Sequence, residues 1–238
     1  MKGYAKNLGI EFIKIDSNIS DLLKWDFLHT HVPRNTSAIL LFQKLFAKYY
    51  YSSSYRYEDT NIGPHYNIAL ADPAAVHLLS TETLECISVG CQYSRVEKTK
   101  RITKLPDVNH WLNVCASANS DGRNCSVCWK CCRTLLTLEI LGILEDFKHV
   151  FDLKKWRSVK NRYLKKVLED KTDQYVTEIR EYANLVDYHF KPWHLVASKI
   201  YVHMVGYPFK PWKVIPSKIY KFVTAALKKE QISDSLVH

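Results

Sequence analysis

Cys115-Ala116-Ser117-Ala118-Asn119-Ser120-Asp121-Gly122-Arg123-Asn124-Cys125-Ser126-Val127-Cys128-Trp129-Lys130-Cys131-Cys132-Arg133 is the stretch whose reading decides the fold. Cys125, Cys128 and Cys131 recur every third residue after the turn-forming Asp121-Gly122, and Cys115 stands upstream on the far side of that loop. Thiolates separated by two residues in a tight turn can converge on one Zn²⁺, and a fourth sulfur delivered by loop closure completes a closed, tetrahedral structural site. The spacing therefore predicts Zn²⁺ ligated by Cys115, Cys125, Cys128 and Cys131. A disulfide and a group of buried free thiols are the other readings. The odd total of seven cysteines and the lack of a secretory signal speak against the first. Buried thiols would not need an Asp-Gly turn between them. Cys131 and Cys132 are adjacent and point apart, so only one ligates, and the regular spacing selects Cys131.

Working outward, Arg133 to Leu144 predicts a strongly apolar helix carrying Leu135, Leu136, Leu138, Ile140, Leu141 and Ile143. Upstream, Trp111 to Val114 reads as a short strand feeding Cys115 into the loop. The knuckle would then pin a buried helix to a sheet edge, and the metal would contribute to folding outright.

The 238 residues, 47% apolar with only seven Gly and eight Pro, suit one globular domain plus an appendage, or two small domains. No run approaches the length of a membrane-spanning helix, and the first residues lack a signal-peptide core, so the reading is cytoplasmic. The net charge of +10 is uneven: residues 151–238 carry 17 Lys/Arg against 9 Asp/Glu, and residues 1–150 carry 17 against 15. The basicity belongs to the tail. The predicted division is an α/β domain over 1–150, with the knuckle at 115–133, and a basic helical extension over 151–238.

In chain order, Tyr4 to Leu8 reads as the end of a helix stopped by Gly9, and Ile10 to Ile15 as a short strand. Ser20 to Leu28 predicts a short amphipathic helix. Pro33 then restrains the backbone, and Asn35 or Thr36 caps a long helix from Ser37 to about Tyr51. The aromatic run Tyr49 to Tyr55 leaves it as a strand or edge loop; such a run can stack a base, but core and rim packing is the plainer reading. Residues 56–75 carry turn signals, Ala75 to Leu79 looks helical, and Leu84 to Val89 is a strand. Ser94 with Glu97 forms a capping box opening another helix, which places Arg95 and Lys98 just after a strand's end, where open sheets bind ligands. From Phe151 two basic amphipathic helices follow, Asp152 to Lys171 and Thr172 to Tyr188. A two-copy repeat closes the chain, Phe190 to Tyr201 against Phe209 to Tyr220. Helical hairpin packing, a membrane-surface contact and a nucleic-acid contact are its three readings.

Two of these motifs carry a family resemblance. Val32-Pro33-Arg34-Asn35 resembles the Val-Pro-x-Arg-Asn opening of a helix in 7-cyano-7-deazaguanine synthase, one residue shorter. Cys115, Cys125, Cys128, Cys131 and Arg133 resemble that enzyme's Cys, Cys-Gly-x-Cys-x-x-Cys and trailing Arg, with Ser126 in place of the Gly. Residues from about 8 to 147 thus resemble the zinc-bearing branch of the PP-loop ATP pyrophosphatase superfamily, the adenine nucleotide alpha-hydrolase-like fold. The resemblance implies a truncated Rossmann-like (HUP-type) parallel α/β sheet. It also implies ATP and Mg²⁺ as cofactors and adenylation of a carboxylate or carbonyl oxygen of a small metabolite. A nitrogen nucleophile then displaces AMP after pyrophosphate has left. The family's Ser-Gly-Gly-x-Asp-Ser loop has no counterpart here, and the resemblance places that segment ahead of residue 1.

The first expectation is therefore a PP-loop protein, or the C-terminal portion of one, using Arg34, Asn35, Arg95 and Lys98 around a nucleotide or substrate pocket, with homo-oligomerisation left open. The second is a non-catalytic zinc-stabilised module whose basic tail, 151–238, binds an anionic partner, nucleic acid or a membrane surface. A zinc-finger DNA reader is disfavoured, because no His ligands follow at finger spacing.

Overall fold

A computed structural model describes residues 2–64, 67–115, 117 and 123–190 of the chain. The chain divides into two compact units, Met1–His189 and Phe190–His238. The two-copy repeat lies outside the described residues, Phe190 apart.

The first unit mixes helices with a small parallel sheet. Helix α1 (Lys2–Asn7) ends at Gly9, whose φ of +66° reverses the chain at little steric cost. The strand expected over Ile10 to Ile15 does not form: these residues have no regular structure and stay exposed. A strand exists only through a partner's hydrogen bonds, and none is supplied here. Helix α2 (Ile19–Leu23) follows, then α3 (Phe27–Leu40).

Helix α3 corrects the expected start at Ser37. Asp26 caps it, its carboxylate accepting from Leu28 N at 2.7 Å, and the helix runs through Pro33. An interior proline forfeits one backbone bond at a cost of about 3 kcal/mol. The fully buried Val32 on the same turn packs into the core with Val76, Leu84 and Cys86, which offsets that loss. The helix stops at Leu40, not near Tyr51, and Lys48–Ser52 forms strand β1 instead. Its three tyrosines suit a half-buried pleat.

A short helix α4 (Asp72–Ala75) leads towards β2 (Glu85–Val89), which pairs parallel to β1 in register Lys48 with Glu85 through Ser52 with Val89. Among the described residues this two-stranded sheet is the whole sheet. Helix α5 (Arg95–Ile102) starts where expected: Ser94 Oγ accepts from Glu97 N at 3.1 Å and Glu97 Oε2 from Ser94 N at 2.7 Å. The expected Trp111 to Val114 strand is replaced by α6 (Val108–Trp111) and a loop. Trp111 packs its ring on Tyr4, with centroids 6.1 Å apart, so α1 rather than a sheet receives it.

Helix α7 (Trp129–Ile140) buries every residue from Cys131 to Leu138. Helices α8 (Leu153–Glu169), capped by Asp152, and α9 (Gln174–Leu185), capped by Asp173, both pack on it. Trp156, Leu164, Val167, Val176 and Ile179 are at most 1% exposed. The basic helices therefore wet their charges and bury the opposite stripe. The expected boundary at 150 falls inside the first unit, which extends to His189 because α8 and α9 complete the packing around α7.

Candidate metal centre and cation cluster

The loop before α7 and that helix's first turn bring four thiols together. The Sγ atoms of Cys115, Cys125, Cys128 and Cys131 lie within 4.8 Å of one another, with Cys115 to Cys128 and Cys125 to Cys131 each at 3.9 Å. Such a group could hold one metal ion, and a thiolate-only donor set is a soft one. Backbone amides point at the sulfurs: Ser117 N donates to Cys115 Sγ at 3.3 Å, Cys125 N to the same atom at 3.4 Å, and Cys128 N to Cys125 Sγ at 3.2 Å. These bonds favour negative sulfur. Burial pushes the Cys115 thiol up, but the donors on it and the neighbouring thiols outweigh that and bring it down to about 6. Burial pushes the Cys131 thiol well above its ordinary value. Cys132 stands apart, its thiol directed to Val127 O at 3.4 Å and pushed up to about 12 by burial.

Two residues not singled out from sequence hold the loop. Asn124, 8% exposed, accepts from Val114 N at 2.9 Å and donates to Leu112 O at 2.8 Å and Val150 O at 3.0 Å, which ties together the segments entering and leaving the loop. Ser126 is fully buried with φ +63°, and its Oγ accepts from Asp152 N at 2.8 Å, joining the knuckle to the start of α8. Its signal was present in the sequence as the position where the resembling motif carries Gly, the residue that adopts positive φ freely.

The second cluster sits at the carboxyl ends of β1 and β2. Lys98 Nζ donates to Ser53 Oγ at 2.8 Å and Ser53 O at 3.0 Å, and Arg95 donates to Ser54 O at 3.1 Å. Gly90, at φ +86°, makes room here: a Cβ would stand 3.3 Å from Lys98 Cε. Burial, then the neighbouring Arg95, bring Lys98 down to about 8. Asp72 is fully buried beside them. It accepts from Ser54 N at 3.3 Å, its Oδ1 has no partner among the described residues, and burial pushes it up to about 7. Glu178 of α9, 3% exposed, accepts from Arg95 N at 2.6 Å. Arg133 is 7% exposed and lies 3.7 Å from the ring centroid of Tyr175, which Arg95 also faces at 5.7 Å.

Arg34 and Asn35 lie elsewhere. Arg34 is 6% exposed, and its terminal nitrogens donate to Ser20 Oγ at 2.8 Å and Trp25 O at 2.7 Å, so it ties α2 and the following turn to α3. With Asn35 it borders a cleft of about 470 Å³ shared with Asp16, Ser17 and Tyr49. The structure thus brings the four cysteines together and sets Arg95 beside Lys98. No hydrogen bond or ion pair among the described residues joins Arg34 or Asn35 to that pair.

Comparison with family models, curated proteins and solved structures gives no match to this chain. No helix among the described residues is long and apolar enough to cross a membrane.

Proposed function

We propose that this chain is the C-terminal portion of, or a divergent form of, an ATP-dependent adenylating enzyme of the PP-loop type. Zn²⁺ held by Cys115, Cys125, Cys128 and Cys131 is its structural staple. Sulfur pairs 3.9 Å apart support zinc, because a regular tetrahedron with Zn–S bonds of about 2.3 Å has edges near 3.8 Å. Four protein ligands leave no open position, so the ion's contribution is a crosslink rather than Lewis acidity.

The observation that carries the enzymatic reading is the position of Arg95 and Lys98 at the carboxyl end of a parallel strand pair, on a helix whose capped first turn follows β2. Lys98 spends two of its three donors on Ser53 and keeps one for an anion. Cations there would offset charge building on departing pyrophosphate as an acyl or carbonyl oxygen attacks the α-phosphorus of Mg·ATP. Titration calorimetry of the zinc-loaded chain with Mg·ATP tests the reading. Saturable binding is expected, weakened at least tenfold, or about 1.4 kcal/mol, in Lys98→Met with its zinc retained. No saturable binding by the parent chain refutes ATP-dependent activity of this chain on its own.

The exposed face of α8 favours a second reading. Lys154, Lys155, Arg157, Arg162 and Lys166 face solvent there, and this surface suits a polyanion. Under that reading a duplex oligonucleotide binds with an affinity that falls steeply between about 50 and 200 mM salt. Salt-independent binding, or none, removes it.

A further inference from the structure

We propose that a second copy of this chain covers the apolar surface around residues 10–28. Segment Ile10–Ile15 of each copy adds to the open edge of β1 in the other, about a two-fold axis.

The open edge follows from the register of the ladder. Glu85 N donates to Ala47 O and Ser53 N to Val89 O, both at 2.9 Å, so Ala47, Tyr49, Tyr51 and Ser53 direct their backbone groups at β2. In a parallel ladder alternate residues face opposite sides. Lys48, Tyr50 and Ser52 therefore present their N–H and C=O groups to the other side, where no described residue pairs with them. The outer edge of β2 is partly covered, since Cys86 N donates to Ser80 Oγ at 3.0 Å. Parallel strands are normally buried on both faces and flanked by further strands, yet Tyr50 is 60% exposed.

The donor strand lies in the same chain. After Ile10 N bonds to Ala5 O, no backbone–backbone bond among the described residues starts from an amide until Asp21 N reaches Asn18 O. The run between is rich in β-branched and aromatic residues, and Ile10, Phe12 and Ile13 are 60%, 42% and 51% exposed. Leu41 and Leu45, just before β1, are 84% and 73% exposed. A cleft of about 740 Å³ separates Ile15 and Ile19 from Ala38 and Leu41. Contiguous apolar surface beside unpaired backbone is what a strand-adding partner covers. Among the described residues, each molecule holds one unpaired extended segment and one unpaired edge, with no backbone bond between the two. A two-fold relation satisfies both with no third component.

Sedimentation velocity of the full zinc-loaded chain across about 1 to 100 µM, combined with amide hydrogen exchange, tests this. The expected result is a dimer in which the amides of Tyr50 and Ser52, and alternate amides within residues 11–15, become protected as it forms. Ile13→Pro removes a donor, and Ile13→Lys keeps the donor but charges the face. Each should raise the dissociation constant at least tenfold while leaving zinc content and helicity unchanged. A monomer throughout the range overturns the proposal, as does unlimited association. So does a dimer whose Tyr50 and Ser52 amides exchange as fast as the monomer's, or one that both variants leave intact.

Discussion

Replacing Cys128 by Ser removes one of the four sulfurs while changing the side chain by a single atom, and its cost can be worked from the loop that the centre closes. A metal held by the four sulfurs would join Cys115 to Cys131, and between them runs a loop close to the 15-residue case for which chain entropy gives about 3 kcal/mol. That figure is a floor, because structural zinc sites release roughly 10 kcal/mol or more on binding at neutral pH, and whole domains are stable by only about 5–15 kcal/mol. The loss is felt in α7, whose first turn contains Cys131 and whose Leu135, Leu136 and Leu138 are fully buried. For a domain of this size about 3 kcal/mol lowers the melting temperature by roughly 6–12 °C. Differential scanning calorimetry of parent and variant, each with zinc counted by elemental analysis, reads both effects together. A variant that loses its zinc yet melts within about 2 °C of the parent would refute the claim that the metal staples α7.

Three further outcomes follow from the same geometry. Asn124→Ala leaves three backbone groups unpaired in a buried site, so it should cost about 2–3 kcal/mol in denaturant unfolding of the zinc-loaded chain; less than about 0.5 kcal/mol would contradict the clamp. Ser126→Ala and Ser126→Gly both lose the bond to Asp152 N, but only Gly relieves the positive φ, so the Gly variant should be the more stable by about 1 kcal/mol; equal stabilities would deny the left-handed backbone. Asp72 is held protonated by burial up to about pH 7 against an ordinary value of 3.8, so the folded state binds more protons than the unfolded one in between. Its contribution is therefore complete below about pH 4 and is lost as pH rises through about 7, and Asp72→Asn should flatten stability against pH across that window; an unchanged slope would show that another group controls it.

The cysteine spacing and the Ser94/Glu97 capping box were legible because each is a local pattern whose geometry needs no distant partner. The apolar run of α7 was legible for the same reason, though the helix spans Trp129–Ile140 rather than Arg133 to Leu144; strand β2 was legible too, because β1 supplies the neighbour that Ile10 to Ile15 lacks. What failed depended on distant contacts. Ile10 to Ile15 has the composition of a strand, but composition cannot supply the hydrogen-bonding neighbour. Pro33 looked like a boundary, yet Asp26 had already started the helix, and the burial of Val32 beside it helps to offset the missing bond. Trp111 ends a short helix and packs its ring on Tyr4, a partner far away in sequence that no local pattern announces. The basic composition after residue 151 suggested a separate extension, whereas the apolar stripe bearing Trp156 and Leu164 belongs to the same core as α7. Asn124 and Asp72 carry no motif; only the fold reveals that one clamps three backbone groups and the other lies buried beside Lys98.

X-ray absorption at the zinc edge on the purified 238-residue chain tests the central claim most directly. One zinc per chain surrounded by four sulfurs at about 2.3 Å is the predicted result. A metal-free chain, or a metal with nitrogen or oxygen in place of any of the four sulfurs, would contradict it.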